Sequence, residues 1–210
     1  MKNKQMGMPV AAVITADIVN STASVATMGK KLVTQLSAVL KNHTFEFYRG
    51  DSFQAYAGDP LAALKLSFQL RATAKRLSDI YDVRISIGIG KVTAPVRSLR
   101  TANSEAFVLS GRMFDQLKDD QRLWIQSANA NANIAFRVIA NFSDYILKRL
   151  TSKQAEVVVE LLKEQTQTQI SKKLKREQST INKHARSAGW PEMEKLLYEY
   201  NQVITQFNLA

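Results

Sequence analysis

Two aspartates lie in stretches whose residue types could do chemistry at a phosphate group. Asp51 lies in "FEFYRGDSFQAY", residues 45–56, where an Arg-Gly-Asp turn interrupts two alternating aromatic runs. This pattern is typical of a tight hairpin whose glycine adopts a positive φ, so we expect Asp51 at the hairpin tip. A carboxylate at such a tip is often only solvated, and that alternative stays open.

Asp17 lies in "VITADIVNST", where an apolar β-branched run ends and capping residues begin. The run predicts a buried strand, and Asn20, Ser21 and Thr22 predict a helix start whose backbone N–H groups can hold phosphate oxygens. If this strand pairs beside the hairpin, Asp17 and Asp51 meet next to a phosphate site, as in sites that hold divalent cations. In the alternative reading, Asp17 only caps its helix.

Alternating strand and helix patterns must position these carboxylates. The first strand and the hairpin are each followed by an amphipathic helical pattern, and "VRISIGIGKV", residues 83–92, predicts a further strand before a third helix in "EAFVLSGRMFDQLKDD". The tract "QSANANANIAF", residues 126–136, is predicted as a polar turn between strands in "RLWIQ" and "AFRVIA". The fold class is therefore α+β through about residue 142.

Only helical patterns follow, so we expect one domain at 1–142 and an all-α domain at 143–210. Thr151 and Ser152 cap a first helix there, and Ile170 and Leu174 give a short second helix. A third helix places Ile181 and Ala185 inward, which is the layout of a helix-turn-helix. The last helix, after Trp190, is expected to serve core or dimer contacts.

The third helix and its neighbour carry basic and polar side chains suited to double-stranded DNA. Between residues 172 and 186 the chain has six lysine or arginine residues and one acidic residue, Glu177. Such an excess of positive charge suits contacts with phosphates. A basic three-helix bundle used for protein contacts is the alternative. The expected DNA-binding residues are Lys172, Lys173, Arg176, Ser179, Thr180, Asn182, Lys183 and Arg186.

The composition narrows the choice of partner and compartment. The chain has 29 basic and 18 acidic residues, a net charge of +11 and a pI near 9.9, which favours a nucleic acid, a nucleotide or an anionic membrane face. It has no cysteine, which excludes disulfides and thiolate metal sites and favours a cytoplasmic location. The N-terminal apolar run is too short to cross a membrane, and His43 and His184 lack metal-ligand spacing.

The N-terminal part resembles the class III nucleotide cyclases over about residues 8–117. The resemblance rests on "VITADIVNST", "YRGDSFQAYAGDPLAALKLSFQL", "VRISIGIGKV" and "SEAFVLSGRMFDQL", which occur in that family's order. It implies a ferredoxin-like βαββαβ domain in which Asp17, Asp51 and the Ile18 carbonyl bind Mg²⁺. It also implies that Arg112 contacts a triphosphate across a dimer interface; the alternative is that Arg112 pairs with a surface acid such as Asp115.

The departures from that family bear on catalysis. Val108 stands where active cyclases carry an asparagine, Phe47 stands at a base-selecting position, and the second such position falls near Thr101. Removing one donor of this kind commonly costs about 2.7–4 kcal/mol of transition-state stabilisation. The resemblance therefore implies nucleotide binding without cyclisation, and no catalytic residue is predicted.

The C-terminal part resembles the helix-turn-helix of sigma factors and LuxR-type regulators, through "LTSKQAE", "QISKKL" and "QSTINKHAR". The combination of both parts resembles the small bacterial SatD-type proteins. We therefore expect a homodimeric DNA-binding transcription regulator whose degenerate cyclase-like domain senses a nucleotide or a metal. The alternative is an active, metal-dependent enzyme on a nucleoside triphosphate.

Overall fold

The protein is seen in a computed structural model that describes residues 8–20, 26–48, 50–96 and 98–210. The described part is a mixed α+β fold. Its strands are β1 (Val10–Val19), β2 (Thr44–Tyr48), β3 (Ser52–Gly58), β4 (Asp82–Lys91) and β5 (Leu123–Ser127). Its helices are α1 (Ala26–Leu40), α2 (Ala63–Leu77), α3 (Glu105–Gln116), α4 (Ala130–Lys148), α5 (Ser152–Leu161), α6 (Gln167–Leu174), α7 (Gln178–Ser187) and α8 (Trp190–Gln206).

The strands form one sheet in the order β2-β3-β1-β4-β5. Strand β1 pairs antiparallel with both β3 and β4, whereas β5 joins β4 in parallel. Up to residue 91 the chain follows the predicted β-α-β-β-α-β order. The central place of β1 explains its apolar composition, since both of its faces are covered.

The two faces of the sheet pack against different helices. In β1, Ile14 and its alternate neighbours belong to a main core that includes Leu36 of α1 and Phe68 of α2. Val13 and Ala11 point to the other face and join a second core with Phe107 of α3. Because side chains alternate along a strand, the odd-numbered residues of β1, Asp17 among them, lie on the α3 face.

Helix α3 lies unusually close to β4, and a glycine makes this possible. A Cβ atom added to Gly88 would lie 2.2 Å from the carbonyl oxygen of Ala106 and 2.5 Å from the backbone nitrogen of Ser110. A larger residue at position 88 would therefore push α3 away from the sheet. The close approach brings the polar side chain of Ser110 against β1.

The predicted hairpin is confirmed. Strands β2 and β3 pair from Tyr48 and Ser52 outward, and Gly50 has a φ of +89°. The rings of Phe47 and Phe53 lie 4.9 Å apart and pack with the main core. The side chain of Phe47 therefore lies on the sheet face opposite Asp17. Phe47 is the residue that the cyclase resemblance placed at a base-selecting position.

The prediction of a strand in "AFRVIA" was wrong. Helix α4 begins at Ala130 and runs through this segment, because the side chain of Asn129 accepts hydrogen bonds from the N–H groups of Asn131 and Ala132. Ala132, Phe136 and Ala140 then recur at helical spacing and enter the main core. Residue 142, the predicted domain boundary, lies inside α4.

The C-terminal helices pack on the α1–α2 side of the sheet. Val158 of α5 and Tyr200 of α8 belong to the same main core as the strands. The Tyr200 hydroxyl donates a hydrogen bond of 2.8 Å to the carbonyl of Pro60. The division of the chain into two domains stays a prediction. No helix in the described ranges has the length and apolar character needed to span a membrane.

Candidate functional site

Asp17 is held near the end of β1 between two strands that carry polar partners. The register pairs Asp17 with Ser52 of β3 and with Arg84 of β4. Residues paired in this way share a face of the sheet, so Ser52 and Arg84 flank Asp17 on the α3 face. The side chain of Asp17 is 26% exposed, and a ligand could reach it.

The structure brings Asp17 and Asp51 together, and we call them the carboxylate pair. The hydroxyl oxygen of Ser52 lies 3.4 Å from Oδ1 of Asp17 and 3.5 Å from Oδ1 of Asp51. The backbone N–H of Ile18 donates to the backbone carbonyl of Asp51 at 3.2 Å, which ties the hairpin to β1. A hydroxyl has one proton to donate, so Ser52 satisfies one carboxylate at a time.

The surroundings of Asp17 raise the pKa of its carboxyl. Burial raises the pKa of the Asp17 carboxyl, and the Asp51 carboxylate raises it further. The guanidinium of Arg84 lies 3.6 Å from Asp17 and lowers that pKa, as does the Ser52 hydroxyl, but the net pKa stays above the ordinary value. A bound cation would remove this repulsion.

Sequence reasoning missed Ser52 and Arg84 as members of the site. Arg84 alternates with the core residues Val83 and Ile85, which places it on the opposite face of β4, but its pairing with Asp17 depends on the register. The guanidinium carbon of Arg84 lies 4.9 Å from the centre of the Phe114 ring of α3. This contact holds the guanidinium of Arg84 between Asp17 and α3.

A row of hydroxyl and amide groups continues from the carboxylate pair beneath α3. The hydroxyls of Thr15 and Ser110 lie 3.0 Å apart, and the side-chain amide of Gln54 donates to Thr15 at 3.2 Å. Thr15 and Gln54 occupy the same sheet face as Asp17. This row is polar and uncharged: Ser110 is fully buried beneath α3, whereas Thr15 and Gln54 are half-buried and lie between Ser110 and the pair.

The other residues of the predicted nucleotide site are placed as follows. Asn20 has a φ of +61°, and its amide donates to the carbonyl of Ile80 at 2.7 Å, so this group is already engaged. Ser21 and Thr22 lie outside the described residues. Arg112 lies exposed on α3 and forms no ion pair with Asp115 or any other described carboxylate. The roles of these residues stay predictions.

The described residues hold no cluster of three or more His, Cys, Asp or Glu side chains suited to a metal. A cation at the carboxylate pair would therefore have two protein carboxylates and would complete its shell with water or ligand oxygens. Mg²⁺ is commonly held in this way, by one or two carboxylates plus phosphates. The residues present fit that cation.

The second candidate site lies on α6 and α7. Ile170 of α6 and Ile181 and Ala185 of α7 are buried against Val157 and Leu161 of α5, in a third core. Lys175 ends α6 in the left-handed conformation, with a φ of +52°. The Ser171 hydroxyl donates to the carbonyl of Arg176 at 2.6 Å, so the connection at 175–177 has a fixed shape.

The outer face of α7 is polar and exposed. Ser179, Asn182, Lys183 and Arg186 are exposed, whereas Thr180 is half-buried. None of the described carboxylates forms an ion pair with Lys183 or Arg186. The two cations of α7 are therefore available to an anionic partner.

Two of the predicted DNA-binding cations already have carboxylate partners. Lys173 lies 2.7 Å from the nearly buried Glu160 of α5, and Arg176 lies 2.7 Å from Glu156. Burial raises the pKa of Glu160, but hydrogen bonds from Lys173 and Lys163 outweigh burial, so the net pKa is lowered. Lys173 and Arg176 thus fasten α6 and its connection to α5, and Lys172 stays exposed.

No protein-family model matches the chain, and no curated protein matches it significantly. Among the matching solved structures is the guanylyl cyclase Cya2, at 15% identity and a TM-score of 0.42, over 57% of this chain and 77% of that chain. A likeness of this size establishes neither a fold family nor a function.

Proposed function

We propose that this chain is a DNA-binding transcription regulator that contacts duplex DNA through α6 and α7. The observation that carries the proposal is the two-sided character of α7. Ile181 and Ala185 are fully buried on one side, and exposed Asn182, Lys183 and Arg186 lie on the other. A recognition helix needs this division, because one face must pack on its own domain while the other enters the major groove.

The chemistry of the exposed face suits base edges and phosphates. Arginine pairs with guanine through two hydrogen bonds, and asparagine pairs with adenine in the same way, so Arg186 and Asn182 are the candidates for sequence readout. Lys183 and Lys172 offer ammonium groups that neutralise phosphates. The short connection at 175–177 holds α6 against α7. With α7 in the major groove, α6 would cross the sugar-phosphate backbone of the DNA.

The test is binding of labelled duplex DNA by Lys183→Glu/Arg186→Glu, measured by fluorescence anisotropy at moderate salt. We expect more than a tenfold loss of affinity with an unchanged thermal transition, because both side chains are exposed. Lys41→Glu/Lys195→Glu changes the net charge equally at exposed positions outside α4, α6 and α7, and it should bind nearly as tightly as the wild type. Equal losses in both variants, or no loss in the first, would contradict the proposal.

The carboxylate pair supports a second, sensory role in the same protein. Asp17 and Asp51 share one hydroxyl, and the net pKa of Asp17 stays above its ordinary value, which favours a cation beside it. We expect Mg²⁺ to be held there by the two carboxylates and by the Ile18 carbonyl. When bound, Mg²⁺ neutralises phosphate oxygens. The βαββαβ order and the half-buried Thr15 and Gln54 beside the pair are compatible with a nucleotide there.

Turnover of a nucleoside triphosphate is the alternative function, and the geometry disfavours cyclisation. Phe47 packs in the main core, away from the carboxylate pair, and Val108 offers no hydrogen bond. We therefore expect no cyclic AMP or cyclic GMP from ATP or GTP with Mg²⁺ or Mn²⁺. Formation of either product by the pure protein, and its loss in Asp17→Ala, would establish the enzyme instead.

A further inference from the structure

Four large apolar side chains form an exposed stripe on α4. Ile134, Val138, Phe142 and Tyr145 are each 53–59% exposed. Their spacing of four, four and three residues places them on one face of the helix. Eight large apolar side chains are exposed among the described residues, and this α4 stripe holds half of them. Scattered surface hydrophobics need no explanation, but an ordered stripe of this kind marks an interaction surface.

We propose that the α4 stripe is the surface on which a second copy of this chain docks. A buried aromatic side chain removes about 150–250 Å² from water, so these four half-exposed side chains offer on the order of 400 Å² of apolar area. An interface of standard size buries roughly 800 Å² per partner, of which about 450 Å² is apolar. The stripe thus supplies nearly all of the apolar area that one side of such an interface needs.

Among the residues that the structure describes, no other element covers the stripe, and the opposite side of α4 is already packed. Phe136 packs on Tyr200 of α8, with 5.6 Å between ring centres. Ala140 and Leu147 face the main core. The guanidinium of Arg149 stacks 3.6 Å from the centre of the Tyr145 ring, which orders that ring at the end of the stripe. The exposed side chains therefore form a prearranged surface.

The stripe complements itself when two copies of α4 cross in an antiparallel sense. Its midpoint falls between residues 139 and 140, so a two-fold axis there sets Ile134 against Tyr145 of the partner subunit. The basic end of the helix, at Lys148, then meets the neutral Asn131 of the partner subunit. A parallel arrangement would instead place Lys148, Arg149 and Arg137 beside their own copies, which costs energy by like-charge repulsion.

This interface differs from the one that the cyclase resemblance implies. Helix α4 packs in the main core, whereas α3 and the carboxylate pair occupy the opposite face of the sheet. A dimer through the α4 stripe leaves Arg112 far from Asp17 of the partner subunit. The inference is independent of DNA binding and of nucleotide binding, since it is measured on the protein alone.

The test is the mass of the full chain by sedimentation equilibrium across the micromolar range. We expect a wild-type dimer and at least about a tenfold rise in the dimer dissociation constant for Val138→Glu/Phe142→Glu. Tyr198→Glu is the matched control, because Tyr198 is 61% exposed on α8, outside the stripe, and it should dimerise like the wild type. At protein concentrations below the dimer dissociation constants, the thermal transitions of all three should agree closely, since the substituted side chains are exposed.

Cysteine cross-linking locates the interface, because the natural chain has no cysteine. Val138→Cys should cross-link efficiently with a short bifunctional maleimide, and Arg112→Cys should not. A wild-type monomer at every concentration would overturn the proposal and leave the stripe to a different protein partner. A dimer that cross-links at position 112 and not at 138, or that keeps its affinity in Val138→Glu/Phe142→Glu, would overturn it equally.

Discussion

The guanidinium of Arg71 and the carboxylate of Asp144 lie 2.6 Å apart, and this buried ion pair joins α2 to α4. Arg71 is completely buried, and two further nitrogens donate to both oxygens of Asp82 at 2.8 Å. The second oxygen of Asp144 accepts from the backbone N–H of Arg122. The cation thus links residues on both sides of position 142, and α4 is fastened to the sheet by charge as well as by apolar contacts.

We expect Asp144→Ala to lower the free energy of unfolding by about 3–5 kcal/mol, because it leaves part of a buried guanidinium unpaired. Urea unfolding followed by circular dichroism measures this. Asp115→Ala removes an exposed carboxylate from α3 and should change the same quantity by less than about 0.5 kcal/mol. A loss below about 1 kcal/mol in Asp144→Ala would show that water or Asp82 compensates the cation.

Local patterns predicted most elements of this fold but not all of them. The alternation in "VRISIGIGKV" and the glycine turn at Gly50 gave β4 and the hairpin, since both signals act over a few residues. The strand predicted in "AFRVIA" was wrong because a short apolar run does not distinguish a strand from a helix. Its helical spacing becomes visible only over the longer window that begins at the Asn129 cap.

The carboxylate pair was predictable in part. That Asp17 and Asp51 meet followed from assuming that β1 lies beside the hairpin, and the register bears this out. Ser52, Arg84 and the inward side chain of Phe47 could not be predicted, because they depend on strand register and on which face of β2 packs inward. A one-residue slip would reverse each of these faces.

Asp17→Asn should stabilise the protein at neutral and higher pH. The folded-state pKa of Asp17 lies above its ordinary value of 3.8, so the folded state binds the proton more tightly, and stability falls as pH rises through the folded pKa. Below pH 3.8 wild type and variant should have the same thermal transition, and the variant should gain as pH increases. A constant difference at all pH values would contradict this cause.

Without Mg²⁺ we expect Asp17→Asn to be more stable than the wild type at pH 8, and Mg²⁺ should reverse this difference. A cation at the carboxylate pair binds only the folded state, so millimolar Mg²⁺ should raise the wild-type thermal transition at pH 8 and leave Asp17→Asn unchanged. Asp79→Asn, which removes an exposed carboxylate elsewhere, should respond like the wild type. An equal response of Asp17→Asn and the wild type would place the metal effect outside the pair.

Glu160→Gln should loosen the attachment of α6 to α5. The lowered pKa of Glu160 means that its carboxylate contributes stability above its ordinary pKa of 4.5, and this is lost as pH falls through the folded pKa. Lys163 and Lys173 are nearly half exposed, so solvent screening reduces the expected loss at pH 7 to about 1 kcal/mol. Glu199→Gln on the exposed side of α8 is the control, and thermal unfolding at pH 7 and at acidic pH is the measurement.

Lys172 and Lys173 should differ in their effect on DNA binding although they are neighbours of the same type. Lys172 is exposed and has no carboxylate partner among the described residues, whereas the ammonium of Lys173 lies 2.7 Å from Glu160. A lysine that neutralises one phosphate contributes about 0.9 to the slope of log affinity against log salt concentration.

Lys172→Ala should therefore lower the magnitude of that slope by about 0.9 and weaken binding, while Lys173→Ala should change the slope by much less. Glu160→Gln frees Lys173 from its partner, so in that background Lys173→Ala should cost more affinity than in the wild type. Fluorescence anisotropy at several salt concentrations gives all the slopes. Equal slopes for Lys172→Ala and Lys173→Ala in the wild-type background would show that DNA competes successfully with Glu160 for the Lys173 ammonium, and that α6 contacts phosphate through both side chains.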